Sequence, residues 1–128
     1  MNLLLDTHVA LWALAGDKRL SRDAVALIAD AANSIFVSAA SVWEIAIKHA
    51  HKKSAMSVSG TQALDYFQRA GYALLGISPQ HAAAVENLPP IHADPFDRML
   101  IAQALTEPMR LLTHDRILAR YSDTVILI

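Results

Sequence analysis

Hydrophobic positions in this chain come in two patterns that alternate along it. The first is a short unbroken run, as at Leu3-Leu4-Leu5, Ile35-Phe36-Val37 and Leu111-Leu112. Runs of this length, β-branched or aliphatic and bounded by polar residues, predict strands buried on both faces. The second pattern has helical spacing, as at Ala24, Leu27, Ile28 and Ala31. Read in order, Asn2 to Leu5 is a strand ending at Asp6, and Thr7 to Leu14 a helix closed by Gly16-Asp17. Ser21 caps a helix through Asp30, and Ile35 to Val37 is the second strand. Ser38 or Ser41 caps a helix to about His51, with Ser41 and Glu44 at capping-box spacing. Ser54 to Gly60 is a loop, Thr61 caps a helix to about Ala70, and Ala73 to Ile77 is a strand. Pro79 opens a helix through Glu86, and Asn87 to Pro95 is a proline-rich loop. Phe96 to Leu105 is helical and ends before Pro108. Leu111-Leu112 is a strand, Asp115 to Arg120 a short helix, and Thr124 to Ile128 the last strand. Short apolar strands alternating with helices predict an α/β fold with a mostly parallel sheet covered on both faces.

Composition narrows this picture. A chain of 128 residues with 54% apolar side chains suits one compact domain spanning 1–128. A net charge of −1 gives no global basic field, so any nucleic-acid contact must be local. The absence of cysteine removes disulfides, thiolate zinc and cysteine nucleophiles, and fits a cytoplasmic protein. The N-terminal apolar stretch carries Asp6 and His8 and lacks a basic lead, so it reads as strand and helix rather than as a signal peptide. No run reaches the ~18 to 20 apolar residues of a membrane span. Clustered glycines and a nucleophile elbow are both absent, which argues against nucleotide-binding loops and serine hydrolases.

The chemistry lies in four acids placed where strands hand over to helices: Asp6, Glu44, Asp97 and Asp115. A carboxylate among aliphatic neighbours is costly to desolvate unless paired, hydrogen-bonded or bound to a cation. In open parallel sheets, ligands bind beyond the carboxyl ends of the strands, and all four acids can point to that edge. Converging there, they would form a hard oxygen-donor site suited to Mg²⁺ or Mn²⁺. The same spacing also fits plain capping: Asp6 and Asp115 as N-caps, Glu44 as a capping-box partner, Asp97 as a first-turn acid.

The segments LLLDTHVALWAL, VSAASVWEIAIK, LPPIHADPFDRMLIAQA and LLTHDRIL, in this order, resemble those of PIN-domain proteins, and more closely the VapC-type toxin ribonucleases of bacterial toxin–antitoxin pairs. The resemblance runs from Leu3 to about Tyr121. It implies a three-layer α/β/α fold around a sheet of four to five strands, and an acidic pocket that binds Mg²⁺ or Mn²⁺. By position, Asp6, Glu44, Asp97 and Asp115 match the family's catalytic, metal-binding acids. Asp94 is an outer partner in the DPFDR segment, and Thr7 and Thr113 match hydroxyl positions near the acids. The chain departs from the pattern at Glu107-Pro108, where relatives often carry a small residue. The resemblance further implies an RNA substrate, a cognate antitoxin on a separate chain that blocks the pocket, and a homodimer.

Other residues weigh in less. Trp12 and Trp43 lie on apolar helical stripes and are expected to pack in the core. His8, His92 and His114 are expected to be solvated or bonded to backbone. Lys48 and Arg98 neighbour the acids and can soften their repulsion or hold a phosphate. The run from His49 to Lys53, with Arg116 and Arg120, can supply local backbone contacts. Two other functions compete with the metal-dependent endoribonuclease. A phosphatase with an aspartyl nucleophile at Asp6 would want a second acid two residues on, where His8 stands. A non-catalytic RNA- or protein-binding module would use the acids only as caps.

Overall fold

The computed structural model describes residues 1–51 and 56–128, so Lys52 and Lys53 of the basic run and Ser54 and Ala55 of the loop lie outside the described residues. The chain forms β1 (Asn2–Leu5), α1 (Thr7–Ala15), α2 (Arg22–Ala29), β2 (Ser34–Ser38), α3 (Ala39–Ala50) and α4 (Gly60–Arg69). It continues with β3 (Ala73–Leu75), α5 (Pro79–Ala84), α6 (Pro95–Thr106), β4 (Arg110–Thr113) and β5 (Val125–Leu127). Single 3-10 turns follow α5 at Val85–Asn87 and precede β5 at Leu118–Arg120.

The five strands are wholly parallel, in the order β3-β2-β1-β4-β5. Leu5 of β1 lies between Val37 and Leu112. The period of two sends Leu3, Leu5 and Leu112 to one face, where they pack with Val9, Ile45 and Phe67. Leu4 and Leu111 go to the other face, with Leu100, Ile101 and Leu118. Both faces are therefore apolar, which is why the runs do not alternate with polar residues. Each fully buried leucine contributes about 1.5–3 kcal/mol before entropy is counted.

The chain winds from β1 outward to β2 and β3, then returns over the sheet to place β4 on the other side of β1. The winding direction thus reverses between β1 and β4. At such a switch point the following loops part and leave a crevice beyond the strand ends.

The helix caps explain most boundary differences. Ser21 and Ser38 cap α2 and α3 as expected, each accepting a backbone N–H. The cap of α4 is Ser59 rather than Thr61. The Ser59 hydroxyl accepts from Gln62 N–H, and the Gln62 side chain accepts from Ser59 N–H. That shift puts Gly60 at the first helical position, where α4 meets α3. A Cβ on Gly60 would lie 2.7 Å from Cβ of Ala46. Gly60→Ala is therefore expected to cost about 1–3 kcal/mol by overpacking, measurable as a lower midpoint in urea with an unchanged slope.

The remaining differences are local. The strand expected over 73–77 stops at Leu75, and the helix from Pro79 tightens to a 3-10 turn after Ala84. The helix expected over 115–120 is a turn followed by 3-10 geometry, because Asp115 Oδ1 accepts Ile117 N–H and closes the backbone locally. Trp43 is 58% exposed, not in the core, and meets Phe96 edge-on. At the Glu107-Pro108 departure, buried His81 accepts Ser78 N–H on Nδ1 and donates from Nε2 to Glu107, tying α5 to the end of α6. Among the described residues, no helix is long and apolar enough to cross a membrane.

Candidate active site

The crevice at the β1/β4 switch point is a cleft of about 630 Å³ lined by Asp6, Glu44, Asp94, Asp97 and Asp115, with Lys48 among them. Asp6, Glu44, Asp97 and Asp115 arrive from four different parts of the chain, and Asp94 caps the helix that carries Asp97. Asp6 ends β1, and its own N–H donates to Leu112 O of β4, so its position follows from strand pairing. Its Oδ2 accepts the Thr113 hydroxyl at 2.6 Å, across the switch point. Asp6 stands at the N-cap position of α1 but makes no side-chain cap bond. It is only 7% exposed, and burial raises its pKa above the usual 3.8, against the opposing pull of the Thr113 hydrogen bond.

Glu44 is 5% exposed on α3. It forms no capping box with Ser41. Instead its Oε1 accepts the Thr7 hydroxyl at 2.9 Å, and its Oε2 pairs with Lys48 Nζ at 2.6 Å, one turn along the helix. The same Thr7 hydroxyl lies 2.8 Å from Ser41 Oγ. This carboxylate holds the lysine ammonium charged, raising the Lys48 pKa.

Asp97 sits in the first turn of α6, while Asp94 is the true cap, accepting Phe96 and Asp97 N–H at 2.8 and 3.2 Å. The Asp97 carboxyl is pushed up to about 7, first by burial and then by the negative charges of Asp6 and Asp94. His92 pulls it down and Glu44 pushes it further up. Like charges crowd this cleft with too little compensation from the chain itself.

His92 makes the expected backbone bond and, in addition, reaches two of the acids. Its Nδ1 accepts Asp94 N–H, which leaves the proton on Nε2. That Nε2–H points between Asp97 Oδ2 and Asp115 Oδ2, 3.1 Å from each. The three residues offer ligand atoms close enough together to hold one ion. His92 is itself fixed at its backbone, where Tyr121 Oη accepts its N–H at 2.7 Å. A signal was present in the HAD triplet just before Pro95, but only the fold brings that loop to Asp115. His92→Ala is expected to lower activity and Mn²⁺ affinity each by roughly 10- to 100-fold. Rate assays and a Mn²⁺ titration check this, and His92→Gln, which can still donate toward the acids, should recover part of the loss.

The cations divide. Lys48 lies in the cleft as expected, and Arg116 lines it too. Arg98 does not: it turns to the carbonyls of Pro89, His92 and Val85 and to Tyr121 Oη, organising the loop that carries His92. Neighbouring positions on a helix lie about 100° apart, so adjacency to Asp97 does not put Arg98 in the same space. His8, Trp12, Arg19 and His114 form the remaining rim, and Arg19 had no signal in the sequence reading.

Known proteins resemble this chain over most of its length. The PIN domain family model matches residues 3–123. The chain is 34% identical over 117 residues to a protein named Ribonuclease VapC22 of Mycobacterium tuberculosis (strain ATCC 25618 / H37Rv), covering 89% of this chain and 87% of the relative. Its fold is similar to a chain in the crystal structure of VapBC2 from Rickettsia felis bound to a DNA fragment from their promoter. That likeness has a TM-score of 0.71 at 18% identity, over 100% of this chain and 98% of the other.

Proposed function

Because the chain belongs to the PIN domain family, we propose that it is a metal-dependent endoribonuclease acting as the toxin of a toxin–antitoxin pair. One observation carries the reading: four acids from four separate parts of the chain meet in the cleft at the sheet's switch point. The name of the M. tuberculosis relative supports RNA as substrate, and the VapBC2 complex supports an antitoxin on a separate chain as partner. The proposal extends to a homodimer, which the family resemblance implies, and to a cytoplasmic setting.

The donor set fits a divalent cation. It is made of carboxylates without thiolates, and Asp97, raised to about 7 by its acidic neighbours, marks negative charge that a cation would offset. Asp6, Glu44, Asp97 and Asp115 would hold it. When bound, a divalent cation neutralises phosphate charge and lowers the pKa of a coordinated water. The chain's own residues supply the rest. Thr113 and Thr7 orient Asp6 and Glu44 from the buried side. Lys48 holds the second Glu44 oxygen and brings a cation to the cleft wall. His92 holds Asp97 and Asp115 at a set spacing through its Nε2.

The capping alternative fails at Asp6 and Glu44, which make no cap bond, while Asp97 stands in the first turn of α6 and Asp115 accepts Ile117 N–H as that alternative expects. The direct test is incubation of a labelled RNA with the purified protein in Mg²⁺ or Mn²⁺. Discrete internal cuts are expected. Intact RNA, from folded protein freed of any co-purified antitoxin, would overturn the reading.

A further inference from the structure

The rim facing the acids carries an arrangement that phosphodiester cleavage leaves unused. Arg19 is clamped by one carboxylate: its backbone N–H, Nε and Nη2 all donate to Asp17, at 2.9, 3.1 and 2.7 Å. Its Cζ lies 4.7 Å from the centre of the Trp12 ring. The guanidinium therefore covers the indole while the Arg19 side chain remains 65% exposed. His114 meets the same indole edge-on at 5.2 Å, and His8 lies tilted at 6.0 Å.

The electrostatics say what this assembly is for. Hydrogen bonds from Arg19 hold the Asp17 carboxyl down at about 2, so it stays ionised and the pair is neutral overall. Two donors of the guanidinium are already used by Asp17. What remains toward solvent is a flat, weakly hydrated plane at a fixed tilt, a property of arginine that lysine lacks. Its location is equally specific. His8, Trp12, Arg19 and Lys48 line the acidic cleft and also an adjoining, more apolar groove of about 930 Å³ that includes Leu11 and Val58. A strand with a phosphate at the acids would bring its neighbouring base to this junction. Unpaired RNA is held by stacking its splayed bases on aromatic rings and guanidinium planes, whereas a duplex has no base to offer.

We infer that Arg19, backed by Trp12 and clamped by Asp17, is a stacking platform for a base of unpaired RNA next to the scissile phosphate. The inference rests on the ribonuclease reading and deepens it: Arg19 and Trp12 select the base beside the cut by stacking rather than by charge.

The test is binding of a short unpaired oligoribonucleotide to the Trp43→Phe, Asp97→Asn protein, which leaves the strand uncut and Trp12 as its one indole. RNA is expected to change Trp12 emission, and a strand abasic at the bound position is expected to lose most of that change. Arg19→Lys keeps the charge and removes the plane. It should bind about tenfold more weakly, and so should Arg19→Ala. In otherwise native protein, Arg19→Lys should raise KM by about tenfold with kcat within about twofold. Parental binding by Arg19→Lys, or equal responses to abasic and intact strands, overturns the platform while metal-dependent cleavage by the native protein keeps the ribonuclease reading. Loss of cleavage by the native protein overturns that reading, and the platform's role with it.

Discussion

Asp97→Asn is expected to reduce RNA cleavage by roughly 10²- to 10³-fold or more while making the metal-free protein more stable. The two effects have one cause. Burial and the charges of Asp6 and Asp94 hold the Asp97 carboxyl at about 7 against an ordinary 3.8. Below pH 3.8 the folded and unfolded chains are both protonated there, and the group costs nothing. As pH climbs toward 7 the unfolded chain loses its proton while the folded chain keeps it, so stability falls. Above 7 the penalty is complete. Solvent in the open cleft screens it to about 1–2 kcal/mol. Asparagine never carries the charge. At pH 8 without divalent ions, the variant should therefore melt roughly 3 to 8 °C higher, and at pH 4 the two proteins should coincide. Thermal melts across this range, beside cleavage assays, check the pairing. A variant that cuts RNA normally, or that is less stable at pH 8, contradicts the assignment of Asp97.

Chelation should have the other large effect. EDTA is expected to take cleavage to background, and excess Mn²⁺ or Mg²⁺ to restore it. Without RNA, the same ions should raise the melting temperature, because a ligand bound only by the folded state stabilises it. At a hundredfold excess over Kd the gain is about 2.7 kcal/mol. It should be largest at alkaline pH, where the crowded carboxylates of the cleft are ionised, and should mostly vanish in Asp97→Asn. Cleavage that persists in EDTA would refute the metal-dependent reading.

Much of this was legible before the structure, for physical reasons that differ by residue. Asp6 stands out because an acid that ends a run of leucines lies at the carboxyl end of a buried strand, and parallel sheets put ligands there. Glu44 was ambiguous because capping-box spacing and a pocket acid look alike in sequence. The choice depends on Thr7, whose hydroxyl reaches it from 37 positions away. Trp43 was read into the core from the apolar stripe of its helix, but the fold leaves that position facing solvent beside Phe96. Arg98 adjoins Asp97 in sequence, but one helical step turns a side chain about 100°, here to a loop. His92 and Arg19 sit in irregular segments where periodicity carries no information. Their partners are fixed only when loops from distant parts of the chain are packed together.

The hydrogen bond from Thr113 to Asp6 joins residues 107 positions apart, and it constrains when this protein can become active. During synthesis, Asp6, Glu44 and Asp97 all leave the ribosome before β4 exists. β1 can pair with β2 early, but its other edge stays open until Arg110–Thr113 docks, and Asp115 is carried in by the same event. Closing so long a loop is entropically slow. The last acid and the bond that orients the first therefore arrive together, late, in one step of strand insertion. Partly made or prematurely terminated chains have three of the acids and no assembled cleft.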